Sequence, residues 1–134
     1  MRALPFLTFQ PAPPDRGAAA AMAAYVEIFG GRVISDRRRT ADEPGGEDTV
    51  FLAEFEIAGL RIRCSDSAIA HAWDFTPGVS LWVDCDSADD QRRVFTALGE
   101  GGQEFMPLSD YGFGPFGWVQ DRFGISWQLG VASS

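Results

Sequence analysis

Gly117-Trp118-Val119-Gln120-Asp121-Arg122-Phe123-Gly124-Ile125-Ser126-Trp127-Gln128 is the stretch on which the fold turns. Trp118 to Asp121 is strand-like, Phe123-Gly124 is a turn, and Ile125 to Leu129 returns as a strand in which Ser126 and Gln128 alternate with Trp127 and Leu129. Reading backward, a Gly/aromatic segment precedes this hairpin, and before it lies a strand-like run, Gln103 to Leu108. Gly101-Gly102 separates that run from a helix through Val94, Phe95 and Leu98 to Gly99, which Ser87 and Asp90 open with capping-box spacing. A strand from Gly78 to Cys85 comes first. The second half therefore reads β-α-β-β-β.

The first half has the same order. Leu4 to Phe9 predicts a strand that ends in a proline-rich turn, with Asp15 as the expected N-cap of the helix that follows. Ala18, Met22, Tyr25, Val26 and Phe29 recur at helical spacing up to Gly30-Gly31. Arg32 to Arg39 starts as a strand and enters the polar loop 41–48. Val50 to Ile57 sets Phe51, Ala53, Phe55 and Ile57 against Leu52, Glu54 and Glu56, and a turn at Ala58-Gly59 leads to Leu60 through Ser65. Gly59 and Gly124 hold matching places in the two halves, as do the pairs 30-31 and 101-102, so order and punctuation repeat where side chains do not. The expectation is one α+β domain over 1–134, built from βαβββ modules at about 1–66 and 75–132, each a curved sheet with a helix on its convex side, together enclosing a concave face.

The bulk properties suit this. At 134 residues, 46% hydrophobic and 22% charged, the chain can bury a core of its own. Eleven Phe and four Trp exceed what such a core needs, so some are expected to wall a cavity or an interface. A net charge of -8 repels nucleic-acid backbones and anionic membranes, and leans toward a neutral or cationic ligand. Cys64 and Cys85 fall inside strand-like runs, as small buried hydrophobes of a reducing compartment do. No leader opens the chain, and the apolar stretch Ala18 to Ala24 is too short to span a bilayer. A cytoplasmic location is expected.

The closing hairpin resembles that of the PhnB-like branch of the vicinal oxygen chelate superfamily, which also holds glyoxalases, extradiol dioxygenases and bleomycin-resistance proteins. Supporting matches are Pro5-Phe6-Leu7-Thr8-Phe9, Tyr25 with Phe29, Glu54-Phe55-Glu56-Ile57-Ala58-Gly59, and Phe75-Thr76-Pro77. The resemblance implies a glyoxalase-like half-open barrel. The branch often carries a demethylubiquinone methyltransferase label, which no Gly-rich strand-to-helix turn in this chain supports.

Metal-using members of the superfamily place His, Glu or Gln on the first, fourth, fifth and last strands. Here the first strand offers Leu4, Phe6 and Thr8 or Pro5, Leu7 and Phe9, the fourth Arg61, Arg63 and Ser65, the fifth Gly78, Val79 and Ser80. Only Gln128 stands at a ligand position. A divalent metal thus has an incomplete ligand set, and no cofactor is expected. The one histidine, His71, lies in the connector as a surface residue and forms no nucleophile-base pair unless it swings into place.

The superfamily's orientation turns Gln128 and Ser126 into the cup and Trp127 and Leu129 toward the helix. Gln128, Ser126, Trp82, Ser80, Thr8 and Trp118 are the expected ligand-binding residues, with Arg61 and Arg63 or their opposite set as further lining. Tyr111 to Gly117 is either a flap over the ligand or, the favoured reading, packing for a second subunit. Arg37-Arg38-Arg39 is expected to be a solvated strand end facing the acidic loop.

The function expected is small-molecule binding by a metal-free homodimer with no defined catalytic role. One alternative is a bleomycin-resistance-like antibiotic-binding protein. The other is an enzyme, either a metal-dependent lyase or dioxygenase or one using Glu54, Glu56 or Asp84 as a general base.

Overall fold

The computed structural model describes residues 1–132. Two compact units divide the chain, Met1–Asp74 and the residues from Phe75 on. In the first, the elements are β1 (Phe6–Phe9), α1 (Ala18–Phe29), β2 (Arg32–Arg38), β3 (Val50–Ile57) and β4 (Leu60–Asp66). In the second they are β5 (Ser80–Cys85), α2 (Ala88–Gly99), β6 (Gln103–Asp110), β7 (Pro115–Gln120) and β8 (Ser126–Val131). Each unit is a four-stranded sheet, in the order β1-β4-β3-β2 and β5-β8-β7-β6. The outer pairs β1/β4 and β5/β8 run parallel and the rest antiparallel. The repeated βαβββ order is thus a repeat of topology as well as of punctuation.

Alternation along each strand sets which residues the helix covers. In the first unit Ala53, Phe55, Ile57, Ile62 and Cys64 are buried, and Ala21, Met22 and Tyr25 of α1 are buried with them. In the second, Val119, Trp127 and Leu129 are buried with Val94, Phe95 and Leu98 of α2. Gln91 locks α2 in place through its buried side-chain amide, which donates to the carbonyls of Leu129 and Pro115, both at 3.1 Å. Burial pushes the Cys64 thiol up to about 12 and the Cys85 thiol up to about 11, so both behave as apolar side chains.

The start of α2 follows its sequence signal: Ser87 accepts the Asp90 backbone N–H at 3.1 Å. The start of α1 does not. Asp15 sits in a short 3-10 turn, Pro14–Arg16, and Gly17 is the N-cap. The cap comes from outside the helix, because Asp66 at the end of β4 accepts the Ala18 N–H at 2.8 Å and the Val50 N–H at 2.9 Å. Arg39 also departs from expectation. It is buried, and its Nη1 donates to Asp66 O at 2.7 Å, Thr49 Oγ1 at 3.1 Å and Val50 O at 3.4 Å. It anchors the 40–49 loop, whereas Arg37 and Arg38 remain at the surface beside Glu43, Asp36 and Asp48. One edge of each sheet is irregular: β2 shifts register between Val33/Ser35 and Arg37/Arg38, and β6 between Glu104/Met106 and Met106/Ser109, while the opposite edges, β1 and β5, pair in continuous register.

Candidate functional site

Each sheet has one face that its helix covers and one that it does not. On the second sheet the helix-free face takes Ser80 and Trp82 from β5, Ser126 and Gln128 from β8, and Trp118 from β7. The parallel register sets Ser80 beside Ser126 and Trp82 beside Gln128, while the antiparallel register sets Trp118 beside Gln128. Five of the six residues expected from sequence therefore share this face. Thr8 belongs to the first sheet, half-buried next to Ser65 of β4.

Their polar groups form a connected cluster. The Ser80 and Ser126 hydroxyls lie 2.7 Å apart, Trp118 Nε1 donates to Ser126 Oγ at 2.8 Å, and Gln128 Nε2 donates to Ser80 Oγ at 3.1 Å. One hydroxyl must donate to the other, which leaves one O–H unspent. Ser126 is 2% exposed and Ser80 is half-buried, so the lower-energy arrangement has Ser126 donating and the Ser80 proton turned outward. Gln128, held through its Nε2, keeps Oε1 unengaged among the described residues. The cluster offers one donor and one acceptor side by side.

Trp82 borders that pair. It is 54% exposed, its Nε1 donates to Asp84 Oδ1 at 2.8 Å, and its ring stacks on Phe116 with centroids 5.7 Å apart. A side chain at Gly130 would meet the Trp82 ring at 2.8 Å, so this glycine lets the indole lie close to β8. Asp84 is thus the partner that orients Trp82.

Beyond Phe116, Asp110 Oδ1 accepts the Gly112 and Gly114 N–H groups at 2.8 and 3.2 Å, and Tyr111 donates to Pro107 O at 2.5 Å. The turn Tyr111 to Gly114 is therefore tied to β6, with Phe113 68% exposed and its ring set edge-on against Phe116.

On the first sheet the helix-free face carries charge. Glu54 accepts from Arg63 Nε at 2.9 Å and Arg61 Nη1 at 3.0 Å, with Arg2 Nη2 at 3.7 Å. The Arg63 hydrogen bond holds the Glu54 carboxyl below its ordinary range despite the opposing pull of burial, and Arg61 adds to the effect. A carboxylate so held is a poorer proton acceptor than a free one.

His71 is half-buried in the connector. It stacks on Trp73 at 4.2 Å between centroids, and its Nε2 lies 2.8 Å from Ser67 Oγ. A Ser-His contact is therefore present without any swing of the histidine. Ser67 Oγ also bonds Ile69 O at 2.8 Å and Ile69 N at 3.3 Å, which makes it part of a local turn.

One feature had no sequence signal: a cleft of about 290 Å³ in the first unit, lined among others by Pro11, Pro14, Arg38, Thr49, Asp66 and Ser67. Its Asp66 carboxylate is taken up by the Ala18 and Val50 N–H groups. For a metal, the fit fails on the donor set. No group of three or more His, Cys, Asp or Glu among the described residues is placed to hold an ion.

Comparison with known proteins gives the following. The family model described as 3-demethylubiquinone-9 3-methyltransferase matches residues 2–130. The PhnB protein from Bacillus cereus is 36% identical, over 98% of this chain and 100% of that one, with a TM-score of 0.91. Protein PA1353 from Pseudomonas aeruginosa is 25% identical, over 100% and 99%, at 0.82. FosX from Listeria monocytogenes, a fosfomycin resistance protein crystallised with Mn(II) and sulfate, is 15% identical over 99% and 90% at 0.62, a likeness of fold alone. No curated protein matches. FosX is a vicinal oxygen chelate protein, so the α+β fold with two similar modules is the one expected from sequence. No helix among the described residues is long and apolar enough to cross a membrane.

Proposed function

We propose, for a chain that belongs to the PhnB-like family described as 3-demethylubiquinone-9 3-methyltransferase, that it binds a small molecule on the helix-free face of its second sheet. The observation that carries this reading is the Ser80, Ser126, Trp118 and Gln128 cluster, which presents the Ser80 O–H and Gln128 Oε1 next to the exposed Trp82 ring. A donor and an acceptor beside an aromatic plane match a flat ligand bearing an amide or a lactam. Gln128 supplies the acceptor, Ser80 the donor and Trp82 the stacking surface. Trp118 and Ser126 position the other two.

The methyl transfer in the family's description is not carried over. The strand-to-helix connections, residues 10–17 and 86–87, are rich in proline or very short, unlike the Gly-rich turn that cradles an adenosyl cofactor. We take the protein to act without a bound metal, in the cytoplasm and as a homodimer. Phe113 and Tyr111 are the apolar surface that a second copy would cover.

The test is a thermal-shift screen with planar amides and lactams, and with bleomycin as the cationic antibiotic. Stabilisation of the wild type by an amide or lactam, lost in Gln128→Leu and Ser80→Ala, is the expected result, and a ligand at about 100 times its Kd adds about 2.7 kcal/mol. No stabilisation by any compound in excess discards the reading, and a response to bleomycin alone moves it to antibiotic sequestration. Light scattering is expected to give twice the chain mass of 14.6 kDa. Elemental analysis is expected to find no stoichiometric metal.

A further inference from the structure

The chain has no lysine, so every side-chain cation except His71 is a guanidinium. Four of the eleven gather on the helix-free face of the first sheet. Arg61 and Arg63 stand on β4 opposite Glu56 and Glu54 of β3. Arg2 reaches Glu54 from the chain start, and Arg32 of β2 reaches Glu56 at 3.5 Å. Arg61 spans both carboxylates, with Nη1 at 3.0 Å from Glu54 and Nε at 3.5 Å from Glu56. Arg2, Arg32, Arg61 and Arg63 thus share Glu54 and Glu56, and two positive charges are left over. Among the strand neighbours on this face Phe6, Thr8, Ser35, Leu52 and Ser65 are neutral, and Arg37, opposite Leu52, has its own carboxylate in Glu43 at 3.2 Å.

An ion-pair network that served only to hold the sheet needs no such excess, since unmatched guanidiniums repel one another. Their geometry also faces outward. Arg63 spends only its Nε on Glu54, and its two Nη groups engage nothing among the described residues. The side chains of Arg61, Arg63 and Arg2 are 38%, 45% and 59% exposed around a Glu54 side chain that is 9% exposed. Glu54 therefore acts as a buried post that fixes Arg63 by one edge and leaves its end-on fork free. Planar forks of this kind bind oxyanions through paired hydrogen bonds. The topological repeat adds an independent argument. Arg61 and Arg63 are the second and fourth residues after the hairpin glycine Gly59, the places that Ser126 and Gln128 occupy after Gly124.

We propose that this face of the first sheet binds the phosphate group of a small molecule through Arg63, Arg61 and Arg2. The two surplus charges match a doubly charged oxyanion. Glu54 is a positioning residue that touches the arginines and not the ligand. The charge and geometry of the first sheet carry the inference; only the comparison with Ser126 and Gln128 draws on the reading of the second.

The test titrates inorganic phosphate into the full chain, with chloride at matched ionic strength as the reference, and follows backbone and arginine Nε–H resonances by ¹H–¹⁵N spectroscopy. Saturable shifts on β3 and β4 are expected. Loss of one charged hydrogen-bonding partner is expected to weaken Kd at least about tenfold in Arg63→Gln and less in Arg2→Gln, while Arg92→Gln on α2 leaves it unchanged. Arg2 lies at the exposed start of the chain, so its variant keeps the test valid if Arg63→Gln fails to fold. Acetate is expected to bind more weakly than phosphate. Absence of saturable shifts, equal binding in all three variants, or acetate binding as tightly as phosphate overturns the proposal.

Discussion

Gly31 passes so close to Glu56 that a side-chain carbon on it would fall 2.0 Å from the Glu56 carbonyl oxygen, and Gly102 stands in the same relation to Gln120. The residue before each of them, Gly30 and Gly101, has φ of +69° and +70°. The second glycine of each pair does the same work, letting the next strand enter against the backbone of its neighbour. The first differs in place: Gly30 is itself the left-handed cap of α1, whereas α2 ends at Gly99, Glu100 is extended, and Gly101 takes the left-handed position of a turn closed by Gly102 N–H on the Gly99 carbonyl at 3.0 Å.

The glycines of a pair consequently differ in their tolerance of alanine. Gly30→Ala meets no atom within 4 Å and is expected to cost about 1 kcal/mol, the left-handed penalty alone. Gly31→Ala must displace a backbone carbonyl and is expected to cost more, about 3 kcal/mol or above. Urea unfolding midpoints check the order.

Asp121 supports the closing hairpin from inside. At 4% exposure it accepts the Phe123 and Ile125 N–H groups on Oδ1, at 2.9 and 3.1 Å, and Trp127 Nε1 on Oδ2 at 2.8 Å. Asp121→Ala leaves a buried indole N–H unsatisfied and is expected to cost about 2–4 kcal/mol, with Asp121→Asn milder because it retains an acceptor. Chemical denaturation monitored by tryptophan emission measures both.

The two-residue turn between β3 and β4 is built from Ala58 at φ +46° and Gly59 at φ +80°. Positive φ at both positions is the geometry that Asn-Gly favours. Ala58→Asn is therefore expected to raise stability by roughly 0.5–1 kcal/mol, seen as a higher melting temperature.

Glu54 gives a pH signature with a definite sign. Its folded carboxyl titrates below the ordinary value of 4.5, first through Arg63. The resulting stabilisation is complete above the ordinary carboxylate range and is lost as pH falls through the lower folded value. Glu54→Gln is expected to be less stable than wild type at neutral pH, with the difference shrinking in acid. Melting temperatures of both proteins from pH 7 down to about 3 test this; a gap that stays constant excludes the linkage.

What the sequence discloses follows from the range of the forces involved. Val50 to Ile57 and the closing hairpin were legible because alternation and turn glycines are local, and Ser87 signals its helix within three residues. The expected N-cap at Asp15 failed because the true partner, Asp66, lies 48 residues from Ala18. Arg39 reads as surface charge, since its acceptors are carbonyls and a hydroxyl that only the fold brings near. Alternation could place Ser80 and Ser126 on sheet faces, but their hydrogen bond depends on the parallel register of β5 and β8. The net charge of -8 likewise hides a face of the opposite sign, because a sum carries no positions.

The broken registers of β2 and β6 bear on how the protein behaves when crowded. A straight outer strand presents an even row of amide and carbonyl groups that a foreign chain can extend into a fibril. Here Val33/Ser35, Arg37/Arg38, Glu104/Met106 and Met106/Ser109 kink that row, and Pro107 removes a donor from it. Along β2 and β6, native material at high concentration is thereby expected to resist cross-β growth, by the shape of these margins together with the charges that β2 carries.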